Sequence, residues 1–520
     1  MKLELSAKGL ESRALWEEKG YLLPEYDRPA MVERTKASPA WIHFGAGNIF
    51  KALQGMAAQR LLNEGVLDRG IIAVERMDRG GERYDDLAVV VTLRADGTVE
   101  KSVLGAIAET CFLYGGEERL KEIFRSPALQ MATFTITEKG YALTGDDVRA
   151  DLAASPDEAK SYMGRVASLL LARYQSGAYP IAMVSTDNCS HNGDKLRAAM
   201  SAFAEAWGDE GFRAYIEDGS RVSFPWTMID KITPSPDLTV GAMLERDGLE
   251  GFAPVRNARG TVKAPFVNAE ESEYLVLEDD FPNGRPPLER AGFYFTDRET
   301  VDKVERMKVC TCLNPLHTAL AVFGCLLGFE RISAEMNDPQ LRRMVEIIGY
   351  QEGLPVVTDP GIIRPRDFID TVLRVRIPNP FMPDTPQRIA TDTSQKLPIR
   401  FGETIKAYLA AEDLNVQDLK LIPLVFAGWL RYLMAVDDAG SAFEPSPDPL
   451  LAESQAYVSD LKLGEKPDCE KLRGLLSNAG IFGVDLYEAG LAERVCGYFT
   501  ELCAGPGAVR ETLKKYVTEE

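Results

Sequence analysis

Histidine is scarce in this chain: only three occur among 520 residues, at His43, His191 and His317. None has a cysteine or carboxylate at the spacing of a zinc ligand set, so we expect no bound metal. The eight cysteines form no CxxC pair, and several lie in apolar stretches such as VFGCLLGF. This usage is typical of reduced, buried thiols and argues against a secreted disulfide scaffold.

Long apolar runs and an excess of basic charge are also missing. The N-terminus has no apolar segment of the kind found in signal peptides, and the longest apolar stretch, around 320–329, is too short to span a bilayer. A net charge of -20 disfavours binding to nucleic acid or to an anionic membrane. We therefore expect a cytoplasmic protein whose partner is a small molecule. Its oligomeric state stays open.

The apolar pattern predicts an α/β fold. AWIHF at 40–44 is a short buried strand, helical spacing follows up to Gly65, and IIAVE at 71–75 is a second buried strand. Such a strand–helix–strand unit begins a parallel sheet. Further apolar runs predict that the sheet continues under a cover of helices, at 87–93, 129–137 and 179–186.

Helical periodicity dominates from about residue 300 onward. Because 520 residues exceed one comfortable hydrophobic core, at least two domains are expected. We divide the chain into an N-terminal extension at 1–38, a Rossmann-type domain at 39–295 and a mainly α-helical domain at 296–520.

A glycine-rich turn lies where the first predicted strand meets its helix. Its glycines can let the backbone approach a pyrophosphate, whose charge the helix N-terminus favours. The alternative is an ordinary tight turn. Glu75, at the end of the next strand, can bind an adenosine ribose and repel a 2'-phosphate, which favours NAD over NADP, although the adjacent Arg76 opposes this. The predicted cofactor contacts of the turn are Gly45, Gly47, Asn48, Ile49 and Phe50.

Polar residues end two later strands. Thr137 and Glu138 follow one, and Asn188 follows another. Open parallel sheets bind ligands at these strand ends, although such residues also occur in ordinary loops. We predict that Thr137 and Glu138 contact the cofactor.

The segment from Lys308 to His317 carries the chemistry of the C-terminal half. Asn314 followed by Pro315 is typical of an N-cap and a first helical position, which puts His317 in the first turn of the helix. An ordinary helix start is the alternative. Lys308 is a candidate base for an alcohol proton, and the amides of Asn188 and Asn314 are candidates to hold the resulting alkoxide.

Seven blocks of sequence resemble the mannitol dehydrogenase family, in the family's order across about 40–440: GAGNIF, TITEKGY, STDNCSHNG, FPWTMIDKITP, LEDDFPNGRPPLE, the Lys308 segment and the stretch from Arg388 to Lys396. The resemblance implies a metal-independent dehydrogenase of polyols or sugar acids. It also implies an expanded Rossmann domain followed by a mainly helical one.

The same resemblance implies roles for individual residues. The catalytic lysine matches Lys308, the alkoxide-binding asparagines match Asn188 and Asn314, and the active-site histidine matches His317. The substrate pocket adds Asp230, Arg388 and Lys396. Two departures stand out: Lys308 lies six residues before Asn314 where the family has five, and the nucleotide loop has one extra residue before Phe50.

The prediction of the substrate depends on basic residues in the polar, proline-rich stretch at 376–400. Arg388, Lys396 and Arg400 offer a carboxylate-binding cluster, unless they pair with Asp384, Asp392 and Glu403. The resemblance implies either a neutral polyol, as in mannitol with fructose, or a sugar acid, as in mannonate with fructuronate or altronate with tagaturonate. With this charge, the resemblance predicts an NAD-dependent oxidoreductase that interconverts D-fructuronate and D-mannonate. The alternatives are a mannitol 2-dehydrogenase, acting on D-mannitol and D-fructose, and an epimerase of sugar acids that retains its NAD.

Overall fold

The computed structural model describes residues 2–78, 84–256 and 262–518. It divides into two compact units, Met1–Arg94 with Thr98–Asp302, and Lys303–Glu520 with Ala95–Gly97. The first unit carries the strands β1 Tyr21–Leu22, β2 Trp41–Phe44, β3 Ile71–Met77, β4 Ala88–Leu93, β5 Val99–Leu104, β6 Ile107–Tyr114, β7 Met131–Phe134, β8 Ile181–Ser185, β9 Val222–Ser223, β10 Thr227–Asp230, β11 Val255–Arg256, β12 Val262–Lys263, β13 Phe266–Glu270, β14 Tyr274–Glu278 and β15 Tyr294–Thr296.

Six of these strands form a parallel sheet in the order β6-β3-β2-β7-β8-β9. This is the strand order of a dinucleotide-binding sheet, in which the order reverses between the first and fourth strands, here β2 and β7. The predicted strands at 40–44 and 71–75 are confirmed as β2 and β3. The apolar runs at 129–137 and 179–186 supply β7 and β8, so the predicted α/β class is correct.

The apolar run at 87–93 was wrongly predicted to join this sheet. It forms β4, which belongs to a separate four-stranded sheet in the order β1-β5-β4-β13. β4 pairs antiparallel with β5 across a turn where Gly97 has φ +83, and parallel with β13. An apolar run reports burial on both faces and not the identity of the partner strand. β1 lies in the segment 1–38, so that segment contributes an edge strand here.

Helices cover both faces of the parallel sheet. Along β2, Ile42 and Phe44 enter one hydrophobic cluster, whereas Trp41 enters the other, as the alternation of a strand requires. The helices of this unit are α1 Arg13–Glu18, α2 Arg28–Ala37, α3 Asn48–Phe50, α4 Met56–Asn63, α5 Glu117–Arg125, α6 Asp146–Ala153, α7 Tyr162–Gln175, α8 Asn192–Ala206, α9 Glu210–Glu217 and α10 Leu238–Asp247, and α11 Arg298–Met307 begins in it.

The second unit is helical, as predicted from residue 300 onward. Its helices are α12 Asn314–Leu326, α13 Ile332–Glu335, α14 Pro339–Glu346, α15 Pro365–Thr371, α16 Pro386–Ile389, α17 Thr393–Leu397, α18 Glu403–Ala410, α19 Leu421–Leu433, α20 Leu451–Ala456, α21 Arg473–Leu476, α22 Ala479–Phe482, α23 Ala492–Leu502 and α24 Ala508–Thr518. The helical stretch Arg298–Leu326 is long and apolar enough to cross a membrane, but 78% of its most apolar window is buried, which is usual for a core helix.

Every residue of α19 is buried, so the N–H groups at its start cannot be satisfied by water. The carboxylate of Glu352 accepts hydrogen bonds from three of them, Lys420, Leu421 and Ile422, at 2.7, 2.6 and 2.8 Å. A distant carboxylate thus caps the helix in place of a local side chain.

Five π-helical turns occur in the described part of the chain: Lys51–Gly55, Lys308–Cys312, Ile347–Gly353, Val372–Arg376 and Pro398–Gly402. A π turn holds one more residue than an α turn and is found mostly at functional sites. Four of the five include a basic residue near a candidate site: Lys51, Lys308, Arg376 and Arg400.

Candidate active site

The nucleotide loop of the first unit needs glycine for two different reasons. Gly45 follows β2 with φ +89, and a Cβ there would lie 2.1 Å from the carbonyl oxygen of Thr135. Gly47 has an ordinary φ of −83, and its nearest neighbour for a Cβ would be 3.7 Å away. Gly45 is therefore required by the protein itself, whereas Gly47 leaves open space in front of the helix that begins at Asn48.

A cavity of about 260 Å³ lies beside this loop, lined among others by Asn48, Lys51, Glu75 and Asp86. Burial lowers the pKa of Lys51, against the opposing charges of Glu75 and Asp86. The ammonium group of Lys51 thus lies in the cavity near the carboxylates of Glu75 and Asp86. The prediction singled out Glu75 but missed Lys51, whose signal was its place in the helix just after the glycine loop.

Phe50 and Ile49 differ in their surroundings. Phe50 is fully buried, and its ring stacks on His43 with centroids 4.0 Å apart. His43 is itself buried, which lowers its pKa to about 3, and it contacts the hydroxyl of Thr133 at 2.7 Å. The side chain of Phe50 is therefore part of the core, while Ile49 is only partly buried.

Asp187, after β8, joins the two predicted strand-end loops. Its carboxylate accepts the backbone N–H groups of Ile136 and Thr137 at 3.0 and 2.7 Å, and the Tyr141 hydroxyl donates to it. These bonds hold Thr137 at φ +70, a conformation that a β-branched residue rarely adopts. Burial raises the pKa of Asp187, opposed by these bonds. The prediction missed this positioning role.

Asn188 and Asp230 are held in place through Asn192. The amide nitrogen of Asn192 donates to the carbonyl of Asp187, the residue before Asn188, and to Thr227 at the start of β10, the strand that Asp230 ends. Thr227 returns its own N–H to the Asn192 oxygen. Asn188 is exposed and Asp230 is buried. Glu138 is exposed and pairs with Lys195.

In the second unit, Lys308 is buried at the start of its π turn. The prediction that Asn314 is an N-cap is wrong: Asn314 is the first residue of α12, and the preceding Leu313, with φ −130 and ψ −61, takes the cap position without a side-chain bond. The π turn ends at Cys312 and only Leu313 separates it from α12, so Asn314 is already helical and cannot take the extended conformation of an N-cap. Pro315, which has no N–H to lose, is tolerated within the first turn.

His317 lies in the first turn of α12 within a cluster of positive charge. Burial lowers its pKa to about 3, and four cations add to this effect: Arg376, Arg400, Arg388 and Lys396. The imidazole is therefore neutral. Its Nε2 lies 3.7 Å from Asp384, a contact between a neutral ring and a carboxylate and not an ion pair.

The basic residues of this cluster are partnered differently. Arg388 forms an ion pair with the buried Asp384, as one alternative anticipated. Lys396 donates to the carbonyl of Ile389 at 3.0 Å; burial, then the charge of Arg400, lowers its pKa to about 8. The structure thus shows the anticipated pair of Asp384 with Arg388, whose side chain is exposed. Arg376, which is buried, was missed in the prediction because its segment gave no motif.

Asp437 and Asp438 act as backbone caps. Asp437 accepts the N–H of Ser441 at 2.7 Å, and Asp438 accepts the N–H of Val509 at 2.8 Å, at the start of α24. Within residues 2–78, 84–256 and 262–518, no group of three or more His, Cys, Asp or Glu side chains is arranged to hold a metal ion.

Family models match most of the chain: the mannitol dehydrogenase Rossmann domain over residues 39–290 and the mannitol dehydrogenase C-terminal domain over residues 300–503. The chain belongs to the mannitol dehydrogenase family. It is accordingly an oxidoreductase of this family, with a Rossmann-type domain followed by a helical one, and the resemblance drawn from the sequence blocks is confirmed.

Individual members of the mannitol dehydrogenase family align over nearly their whole length. A D-mannonate oxidoreductase of Thermotoga maritima is 47% identical, covering 100% of both chains. Among solved structures, a substrate-free D-sorbitol dehydrogenase is 25% identical, with a TM-score of 0.79 over 95% of this chain and 97% of its own. The mannitol 2-dehydrogenase of Pseudomonas fluorescens, in a ternary complex with NAD and D-mannitol, is 26% identical, with a TM-score of 0.70 over 100% of both chains.

Proposed function

We propose that this protein is an NAD-linked oxidoreductase that interconverts D-fructuronate and D-mannonate. The observation that carries the proposal is the cluster of four basic side chains around the neutral His317. A neutral polyol offers such a cluster no charge to bind, whereas a sugar acid offers a carboxylate. The name of the relative from Thermotoga maritima, a D-mannonate oxidoreductase, supports the same substrate pair.

The loop and cavity of the first unit offer groups that can bind the pyrophosphate and the adenosine ribose of a dinucleotide. Gly47 leaves room for close approach to a pyrophosphate, and the Glu75 carboxylate is in the cavity where it can accept ribose hydroxyls and repel a 2'-phosphate. Backbone groups of Gly45, Gly47, Asn48, Ile49 and Phe50 would hold the phosphates, with Thr137 and Glu138 as further contacts. Bound NAD supplies the hydride acceptor, and NADH the hydride donor.

The side chains of the second unit provide the proton chemistry. In the direction of reduction, the Lys308 ammonium donates a proton to the substrate carbonyl oxygen. The amide of Asn314 donates a hydrogen bond to this oxygen as it gains negative charge, a role that the family resemblance also gives to Asn188 of the first unit. His317 is neutral, so it serves as a hydrogen-bonding group and not as the acid. Asp230, Arg388 and Lys396 orient the rest of the substrate.

A second candidate is a mannitol 2-dehydrogenase, favoured by the similarity to the mannitol-bound structure. The cluster around His317 counts against it, because a neutral substrate supplies no carboxylate for Arg400, which has no acidic partner among the described residues. An epimerase that retains its NAD would use the same residues, and only the fate of the cofactor distinguishes it. We further propose a cytoplasmic location, in keeping with eight free cysteines.

The test is a panel of ketoses. NADH and NADPH oxidation is followed with D-fructuronate, D-tagaturonate and D-fructose, each with and without excess EDTA. We expect turnover of fructuronate with NADH, with EDTA having no effect. Turnover of fructose alone would move the assignment to a mannitol dehydrogenase, and epimerised sugar without net NADH loss would indicate the epimerase. A preference for NADPH would contradict the proposed role of Glu75.

A further inference from the structure

Arg400 has no carboxylate partner among the described residues, unlike Arg388, which forms an ion pair with Asp384. Its Nη1 donates to the hydroxyl of Thr318 and, at 3.4 Å, to the backbone carbonyl of Asn314. Burial lowers the pKa of Arg400 to about 10, and no acidic side chain acts against that shift. In the described ranges of the chain, no aspartate or glutamate pairs with it.

Two of the neighbouring cations have carboxylates close to them. Arg388 pairs with the buried Asp384, and the charges of Asp392 and Asp448 act on Lys396. A charge withdrawn from water is costly unless an opposite charge accompanies it, so this partly buried, unpaired guanidinium is suited to receive an anion from a ligand. Arg400 is therefore a cation of this cluster on which no carboxylate of the described residues acts.

The geometry of Arg400 suits a carboxylate. A guanidinium has five N–H donors in a planar fork, and only Nη1 of Arg400 is engaged by the protein residues described here. Nε and Nη2 stay available along one edge of the fork, the arrangement that binds a carboxylate through two parallel hydrogen bonds. Both protein contacts of Arg400 are in the first turns of α12, beside Asn314 and one residue from His317.

We propose that Arg400 binds the carboxylate of the substrate and so determines the preference for sugar acids over neutral polyols. The proposal rests on the proposed function. In fructuronate, three carbons separate the carboxylate from the keto carbon, so both ends of one substrate can be held next to the first turn of α12. Arg388, held by Asp384, then positions His317 and discriminates little between acids and polyols.

The experiment compares Arg400→Gln with Arg374→Gln, which removes an exposed arginine of the same unit. Fructuronate and fructose form a matched pair, because they differ only in a terminal carboxylate or hydroxymethyl group. For Arg400→Gln we expect kcat/KM with fructuronate to fall about 10- to 150-fold, the range for a hydrogen bond to a charged group, with fructose unaffected. Arg400→Lys should retain part of the preference. Arg374→Gln should match the wild type.

Equilibrium titration gives a second measure that needs no turnover. In the NAD complex, Arg400→Gln should weaken mannonate binding by a similar factor and leave mannitol binding unchanged. Equal losses for acid and polyol, or no loss for the acid, would overturn the role of Arg400 and leave the proposed function standing. If the wild type uses neutral ketoses alone, both fail. If it uses tagaturonate instead, the comparison is made with tagaturonate and tagatose, and the same outcomes apply.

Discussion

Replacing the two loop glycines by alanine separates a structural requirement from a functional one. At Gly45, alanine is unfavourable for two reasons. Its φ of +89 is rare for residues with a side chain, and its Cβ would lie 2.1 Å from the carbonyl oxygen of Thr135. At Gly47, the backbone angles suit alanine and the nearest atom is 3.7 Å away. The open space there is where we propose that a pyrophosphate approaches.

The magnitudes follow from these contacts. The left-handed conformation costs alanine about 1–2 kcal/mol, and relief of the clash with Thr135 costs about 1–3 kcal/mol more. Alanine also restricts the unfolded chain, which returns about 0.4–1 kcal/mol. We therefore expect Gly45→Ala to lower the free energy of unfolding by about 2–4 kcal/mol, and Gly47→Ala to leave it unchanged or slightly raised.

The affinity for NADH should instead be lowered by Gly47→Ala, the variant that keeps its stability. Gly47→Ala displaces the pyrophosphate from the backbone N–H groups, and losing one hydrogen bond to a charged group weakens NADH binding about 10- to 150-fold. Tryptophan fluorescence during urea unfolding reports mainly on the first unit, which contains Trp16, Trp41, Trp207 and Trp226. NADH affinity is measured by fluorescence titration. A destabilised Gly47→Ala, or one that binds NADH normally, would refute the assignment of the loop.

Two further predictions concern the second unit. Lys308→Ala should lower kcat by about 10²- to 10⁴-fold with NADH affinity unchanged, whereas Lys303→Ala should keep activity; an active Lys308→Ala enzyme would eliminate the proposed acid. Glu335 is fully buried, neither carboxylate oxygen has a partner among the described residues, and burial raises its pKa well above its ordinary value of 4.5. The folded state therefore holds this proton more tightly than the unfolded state, so the free energy of unfolding should fall above pH 4.5 by up to about 1.4 kcal/mol per pH unit until the proton is lost. In denaturation at several pH values, Glu335→Gln should abolish this fall and Glu330→Gln should not; identical pH profiles for Glu335→Gln and the wild type would contradict it.

The resemblance to the family implies one extra residue before Phe50 and one between Lys308 and Asn314. The second coincides with the π turn Lys308–Cys312, whereas the π turn Lys51–Gly55 begins only after Phe50. A π turn absorbs one inserted residue without ending the helix. Sequence spacing alone showed the insertions, but a single added residue can equally form a loop, so their conformation was not predictable from the sequence.

Local pattern was enough to predict the strand–helix–strand unit that contains β2 and β3, its glycine loop and the change to helices near residue 300. These features depend on neighbours in sequence, since apolar periodicity and glycine placement act over a few residues. The partner of β4 was not predictable, because burial on both faces is compatible with either sheet. The difference between Arg388 and Arg400 also needed the tertiary structure. One guanidinium meets Asp384, while the other meets Thr318, 82 residues away, and only the folded chain decides which charge is left for a ligand.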